Sequence, residues 1–211
     1  MRHAAVAYFD DGRPLRPKDV QLTEEGIEQA RAAREALASV PFDRVVTSGL
    51  PRTLETARIV APGVDAELCP DLRELEGARL GDIPEDELER TFVRAFHGVA
   101  PEDTRFLGGE TIGSLFDRVL PALERLLADP KWDVALAVLH GGVNRAILSY
   151  ALTARREFLG GFEQAPACIN VLDVDSSGWI VRAVNVAPYD PVHLRGRLTT
   201  MEELWAQFRS M

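Results

Sequence analysis

Residues Val134-Ala-Leu-Ala-Val-Leu139 form a continuous apolar run, and His140-Gly141-Gly142 follows it directly. A strand with one wet face alternates apolar and polar side chains, because successive residues point to opposite sides of the sheet; a strand buried on both faces does not alternate. Burial on both faces calls for helices above and below a mostly parallel sheet. The fold class that follows is α/β: a single three-layer αβα domain with a mostly parallel central sheet. With 211 residues, 46% of them hydrophobic, one core of ordinary size is available, and residues 1–211 are expected to form one domain.

The rest of the chain alternates strand-length apolar runs with segments of helical period. Ala4 to Phe9 is short and apolar, a strand candidate ended by the turn chemistry of Asp10-Asp-Gly-Arg-Pro14. Thr23 suits an N-cap, and Leu22 and Ile27 have the spacing of a hydrophobic staple, so a helix is expected to start there. Asp43 to Ser48 reads as a strand, and Pro51 falls in the first turn of the next helix. A short strand near Glu67-Leu68-Cys69 leads into a polar stretch from Pro70 to Pro84. The acidic residues after Pro84 open a further helix with Leu88, Phe92, Phe96 and Val99 on one face, so a helical insertion or cap is expected at about 80–110. Pro121 is expected to kink the helix that runs through Leu115, Val119, Ala122 and Leu126. Ile169 to Val174 and Trp179 to Val186 flank Asp175-Ser-Ser-Gly178 as a hairpin, and Thr200 with Glu203 has the spacing of a capping box.

With 33 acidic and 24 basic residues the chain carries a formal charge of −9. Nucleic acids and membrane surfaces are gathered by basic fields, so neither is expected as a partner; a small phosphorylated ligand needs only a few local cations. No apolar run approaches the roughly twenty residues of a membrane span, and no apolar segment follows Met1-Arg2-His3 as in a secretory signal. Cys69 and Cys168 are isolated, which gives no disulfide framework, and a cytoplasmic location is expected. HExxH and HxH spacings are absent, and the glycines near Gly108 and Gly141 match neither the P-loop nor the dinucleotide fingerprint; no metal and no cofactor are expected. The hairpin and the face formed by Leu204, Trp205 and Phe208 suit packing against a second copy or against the chain's own core, so a homodimer is one expectation.

Of the four histidines, His97 reads as a partly buried helix residue and His193 as a loop residue with a structural or surface role. His140 stands where the apolar strand ends and a helix begins, the place where open α/β sheets bind ligands and where free N–H groups meet anions. Arg2-His3 is a bare dipeptide on its own. It gains weight from Arg52 in a second strand-to-helix turn, from Glu74 in the loop after the third apolar segment, and from Gly108-Gly-Glu-Thr111 at a helix start. Glu110 there reads as a helix-start anion, and Glu76 competes with Glu74 as the loop carboxylate.

This ordered set resembles the histidine phosphatase superfamily, also called the phosphoglycerate mutase-like family. It comprises the Arg-His opening, Leu-Thr-Glu-Glu-Gly, Ser-x-Leu-x-Arg-Thr-x-x-Thr-Ala, Leu-Arg-Glu, Gly-Gly-Glu and His-Gly-Gly-Val. The resemblance implies that His3 is the nucleophile and becomes a phosphohistidine, that Arg2 and Arg52 clamp the phosphate, and that His140 donates to the phosphoryl oxygens. It implies Glu74 as the proton donor to the leaving oxygen, and a metal-independent reaction on a small phosphorylated metabolite.

The chain departs from the family pattern in ways that sharpen this expectation. Only Met1 precedes Arg2, whereas family members carry an apolar strand there, so weak activity or low stability is expected. Ala4 replaces the usual glycine after the nucleophile. The polar residues and paired arginines of the glycolytic mutases are missing, which favours a phosphatase (phosphoric monoester hydrolase) over a mutase. A cofactor-dependent phosphoglycerate mutase and a degenerate, non-catalytic phospholigand-binding member are the alternatives.

Overall fold

A computed structural model describes residues 1–10, 13–16, 18–78, 83–89, 96–194 and 198–210. In chain order these form β1 (Phe9–Asp10), β2 (Arg13–Pro14), α1 (Glu24–Ala36), β3 (Arg44–Thr47), α2 (Pro51–Val60) and β4 (Ala66–Leu68). A 3-10 turn (Pro70–Leu72) precedes α3 (Glu85–Glu89) and β5 (Val99–Ala100). After a second 3-10 turn (Phe106–Gly108) come α4 (Ile112–Leu127), β6 (Ala135–Val138), α5 (Gly141–Thr153), β7 (Phe158–Leu159), β8 (Ile169–Asp175), β9 (Gly178–Val186) and α6 (Thr200–Arg209).

The apolar run does become a strand of a parallel sheet, ordered β4-β3-β6, with Thr47 beside both Leu68 and Val138. Its two faces bury different clusters. Val45, Leu136 and Val138 pack with Ala30 and Ala33 of α1 and with Ala57 and Val60 of α2. Val46 and Leu139 pack with Leu115, Phe116 and Val119 of α4 and with Val143 and Ala146 of α5. Helices therefore cover both sides, as the absence of alternation requires.

Residues 1–3 extend this sheet. Leu139 N donates to Met1 O at 2.9 Å and His3 N to Leu139 O at 2.9 Å. On the other side Arg2 N donates to Cys168 O at 3.1 Å and Ala167 N to His3 O at 3.0 Å, while the Met1 ammonium donates to Ala137 O at 2.6 Å. Met1, Arg2 and His3 thus lie as an added extended segment between β6 and the residues that lead into β8. The strand expected from Ala4 to Phe9 does not form over Ala4 to Tyr8, because helix side chains claim its backbone: Ala4 N donates to Thr56 Oγ1 and Ala5 N to Gln29 Oε1. Beyond it only Val6 is bridged, to Leu22, before β1. The same stretch explains Gly26, since a Cβ there would lie 2.1 Å from Ala5 O.

Thr23 caps α1, accepting from Gly26 N, and the hairpin forms as β8 and β9. The last capping box lies one residue earlier than expected, on Thr199 and Glu202, because Thr200 already has helical geometry. The helix expected through Val99 does not reach it: the described part of α3 is Glu85–Glu89, residues 90–95 lie outside the described residues, His97 is exposed in a bend, and Val99 pairs antiparallel with Leu159. Phe92 lies outside the described residues. α4 continues through Pro121. Among the described residues no helix is long and apolar enough to cross a membrane.

Candidate active site

Two neighbouring parallel segments end side by side, one at His3 and one at His140, which is also the N-cap of α5. Their rings meet edge to face with centroids 5.2 Å apart. Both imidazoles are buried, His3 at 2% and His140 at 0% exposure. His3 Nδ1 lies 2.8 Å from Ala4 O, which accepts only, so Nδ1 carries the proton and Nε2 keeps its lone pair.

The opposite tautomer logic applies to His140. Its Nε2 is 2.8 Å from Ser48 Oγ, which is 3.1 Å from Thr53 Oγ1, and the Thr53 hydroxyl donates to Leu50 O at 2.8 Å. Each hydroxyl has one proton to give. Thr53 spends its proton on Leu50, Ser48 spends its own on Thr53, and His140 Nε2 donates to Ser48. His140 Nδ1 is buried with no hydrogen-bond partner among the described residues. Burial holds both imidazoles well below their ordinary titration range. Arg2, His140 and Arg52 add to this at His3, and Arg52, Arg2 and Arg118 add to it at His140.

Arg52 enters from the first turn of α2 and is buried, and burial lowers its guanidinium pKa. Arg2, also buried, donates through Nη1 to Gln164 O and, at 2.7 Å, to Thr200 Oγ1 at the start of α6. Its Nε is buried with no partner among the described residues. Glu74 reaches the N-terminus of α5, where Gly142 N donates to its two oxygens at 3.1 and 3.2 Å and Leu75 N to one of them at 3.1 Å. Glu76 is exposed, and its carboxylate lies 4.0 Å from Arg73. Glu74 is therefore the loop carboxylate that joins the cluster.

Glu110 has a different role from a helix-start anion. Arg118 grips it through Nε and Nη2 at 2.7 and 2.9 Å and donates Nη1 to Asp71 O and Arg73 O, both at 2.7 Å. Glu110 also accepts from Glu76 N, so this pair fastens the loop that carries Glu74. His193 is structural, with Nε2 on Asn185 O at 2.9 Å.

A cavity of about 1080 Å³ opens over the cluster, lined by Arg2, Arg52, Glu74 and Arg145 and walled by apolar groups such as Leu50, Phe96 and Phe106. Phe96 and Phe106 stack at 5.7 Å and also pack on the core. His97 stands in the cavity lining. The structure thus gathers Arg2, His3, Arg52, Glu74 and His140 in one place. Sequence reasoning missed Ser48, Arg118 and Arg145 as members of this site; each lies in or near a motif already singled out, yet no spacing rule marks it.

The sequence pattern of the histidine phosphatase superfamily (branch 1) matches residues 1–187. The chain is 30% identical over 178 residues to 2-carboxy-D-arabinitol-1-phosphatase of Triticum aestivum, a match covering 82% of this chain and 36% of that protein. It thus spans about a third of the length of the wheat relative. It is 35% identical over 150 residues to the "Probable phosphoglycerate mutase GpmB" of Enterobacter sp. (strain 638), covering 67% of each. Among solved structures, the alpha-ribazole phosphatase of Shigella flexneri superposes with a TM-score of 0.72 at 23% identity, covering 88% of this chain and 94% of that one. Its likeness is one of fold. A family pattern that begins at the Arg2-His3 opening and runs through His140 and beyond settles the kinship: the chain belongs to the histidine phosphatase superfamily (branch 1).

Proposed function

We propose that the chain is a metal-independent phosphomonoester hydrolase that works through a phosphohistidine on His3, with a small phosphorylated metabolite as substrate. The observation that carries this reading is the His3 Nδ1 to Ala4 O contact of 2.8 Å, which fixes an unprotonated Nε2 beside two buried arginines.

In the first step His3 Nε2 attacks phosphorus, the N–P bond forms and the P–O ester bond breaks. A proton on Glu74 passes to the departing oxygen. Arg2 and Arg52 hold the phosphoryl oxygens, whose charge they neutralise with planar donor sets. The buried Nδ1 of His140 takes the proton of a phosphoester monoanion, donates it in a hydrogen bond to a phosphoryl oxygen, and gives it back to the phosphate released in the second step. In the second step the Glu74 carboxylate removes a proton from water, the water oxygen attacks phosphorus, and His3 leaves with its original lone pair.

The test is hydrolysis of an aryl phosphate by the purified chain, with and without chelator, beside His3→Ala. Turnover that survives chelator and vanishes in the variant supports the reading, as does a phosphoryl adduct on His3 in intact-mass measurements. Equal turnover in His3→Ala rejects it. The relatives named as phosphoglycerate mutases motivate a second reading, isomerisation of phosphoglycerates primed by a bisphosphate. Faster interconversion than phosphate release would favour it.

A further inference from the structure

Arg145 is a cavity cation that the proposed chemistry leaves unused. It is partly buried on α5, and its Nε donates to Phe162 O at 2.5 Å. Among the described residues neither an ion pair nor a second hydrogen bond engages the rest of its guanidinium. Its remaining donors open into the cavity rather than onto a protein partner, where a ligand's anion can take them in charge-assisted hydrogen bonds.

Its neighbours say where that anion lies. The point where a Cβ on Gly141 would stand is 3.2 Å from Arg145 Nη1, 3.8 Å from Glu74 Oε2 and 3.9 Å from Arg2 Nε. Arg145 is thus beside the carboxylate proposed to face the departing oxygen, on the cavity wall. A group held there belongs to the alcohol part of the substrate, close to the ester oxygen. Burial, with Arg2 adding to it, brings the guanidinium pKa down to about 10, so the side chain is still a cation at neutral pH.

We infer that Arg145 is a specificity-determining residue that binds a carboxylate on the alcohol portion of the substrate, so that phosphomonoesters of short carboxylated alcohols are preferred over neutral ones. The inference rests on the reading of Glu74 as proton donor to the leaving group. A guanidinium fork matches a carboxylate in two parallel hydrogen bonds, which a neutral hydroxymethyl group cannot accept in the same way.

The experiment compares 3-phosphoglycerate with glycerol 3-phosphate, which differ by carboxylate against hydroxymethyl, reading phosphate release by the full chain and by Arg145→Met and Arg145→Lys. The expected kcat/KM ratio in the parent is about 10- to 100-fold in favour of the carboxylate, the range of a charge-assisted hydrogen bond. In Arg145→Met the ratio falls to about one, and Arg145→Lys, which keeps charge but loses the fork, lies between. Each ratio is taken within one variant, so a general loss of active protein cancels. A parent ratio near one, or a ratio unchanged in Arg145→Met, overturns the inference while leaving the hydrolase reading intact. Failure of the hydrolase reading looks different: neither ester releases phosphate. Calorimetric titration of the parent with the same two esters then decides, and equal Kd values overturn the role of Arg145.

Discussion

His140 Nε2 and Ser48 Oγ, 92 positions apart in sequence, lie 2.8 Å apart and fix which nitrogen of His140 faces away from the serine. The proton order Thr53 to Leu50, Ser48 to Thr53, His140 to Ser48 leaves Nδ1 as the unprotonated nitrogen, the one that meets a phosphoryl oxygen in the reaction proposed above. Ser48→Ala removes the acceptor for Nε2 and leaves the tautomer unfixed. The expected outcome is a kcat loss of about tenfold with little change in KM, together with a displaced acid limb of the pH–rate profile. A lost KM with an unmoved profile would mean that Ser48 only packs.

Gly142→Ala separates activity from stability. A Cβ there would lie 2.6 Å from Glu74 Oε1 and 2.8 Å from Leu75 Cδ1, both ends of flexible side chains that are able to retreat. The fold should hold while Glu74 is pushed from the α5 N-terminus, so kcat falls by about tenfold or more with the melting temperature nearly unchanged. Gly26→Ala is the opposite case. Its Cβ meets Ala5 O at 2.1 Å, and backbone cannot step aside without disturbing residues 1–5, so this variant should melt well below the parent.

Removing Arg118 tests the loop anchor. Its ion pair with Glu110 is mostly shielded, with side-chain exposures of 18% and 15%, and the same guanidinium serves three loop carbonyls. Arg118→Ala should cost about 2 kcal/mol, below the value for a fully buried pair because some water reaches it. Glu110→Gln should cost less, and denaturant midpoints of the two single variants and the double variant give the coupling. Strict additivity would show that the two side chains act separately.

Acid should weaken the fold in a defined window. Unfolded histidine takes up a proton near pH 6.5, whereas folded His3 and His140 refuse one until well below that value. The unfolded state therefore binds more protons, stability rises with pH up to about 6.5, and it is lost as pH falls below it. Each histidine contributes a slope of up to about 1.4 kcal/mol per pH unit. Denaturant midpoints at pH 7, 6 and 5 check this, and a flat result between them contradicts the buried neutral state.

The layered fold was legible because its main signal is local: six consecutive apolar residues followed by His-Gly-Gly admit few structures. Capping was legible to within one residue, since Thr199 and Thr200 face Glu202 and Glu203 at the same spacing and only backbone geometry chooses. The strand role of residues 1–3 was not, because three residues carry no periodicity and their partners lie near positions 139 and 167. Arg145 and Ser48 were hidden for a related reason. Each gains its meaning from a residue on a different element, Glu74 and His140 respectively, and no spacing within the chain announces that meeting.

Residues 1–3 tie His3 to the fold by main-chain bonds to Leu139 on one flank and to residues 167–168 on the other, and the Arg2 side chain adds bonds to Gln164 O and Thr200 Oγ1. In such pairing a slip of one position presents Arg2 where His3 belongs, so the place of the His3 ring depends on the parity of the register. Leu50, Phe96 and Arg145 of the cavity wall make none of those main-chain bonds. Substitutions at Leu50, Phe96 or Arg145 are thus free to reshape the cavity while the His3 ring keeps its station.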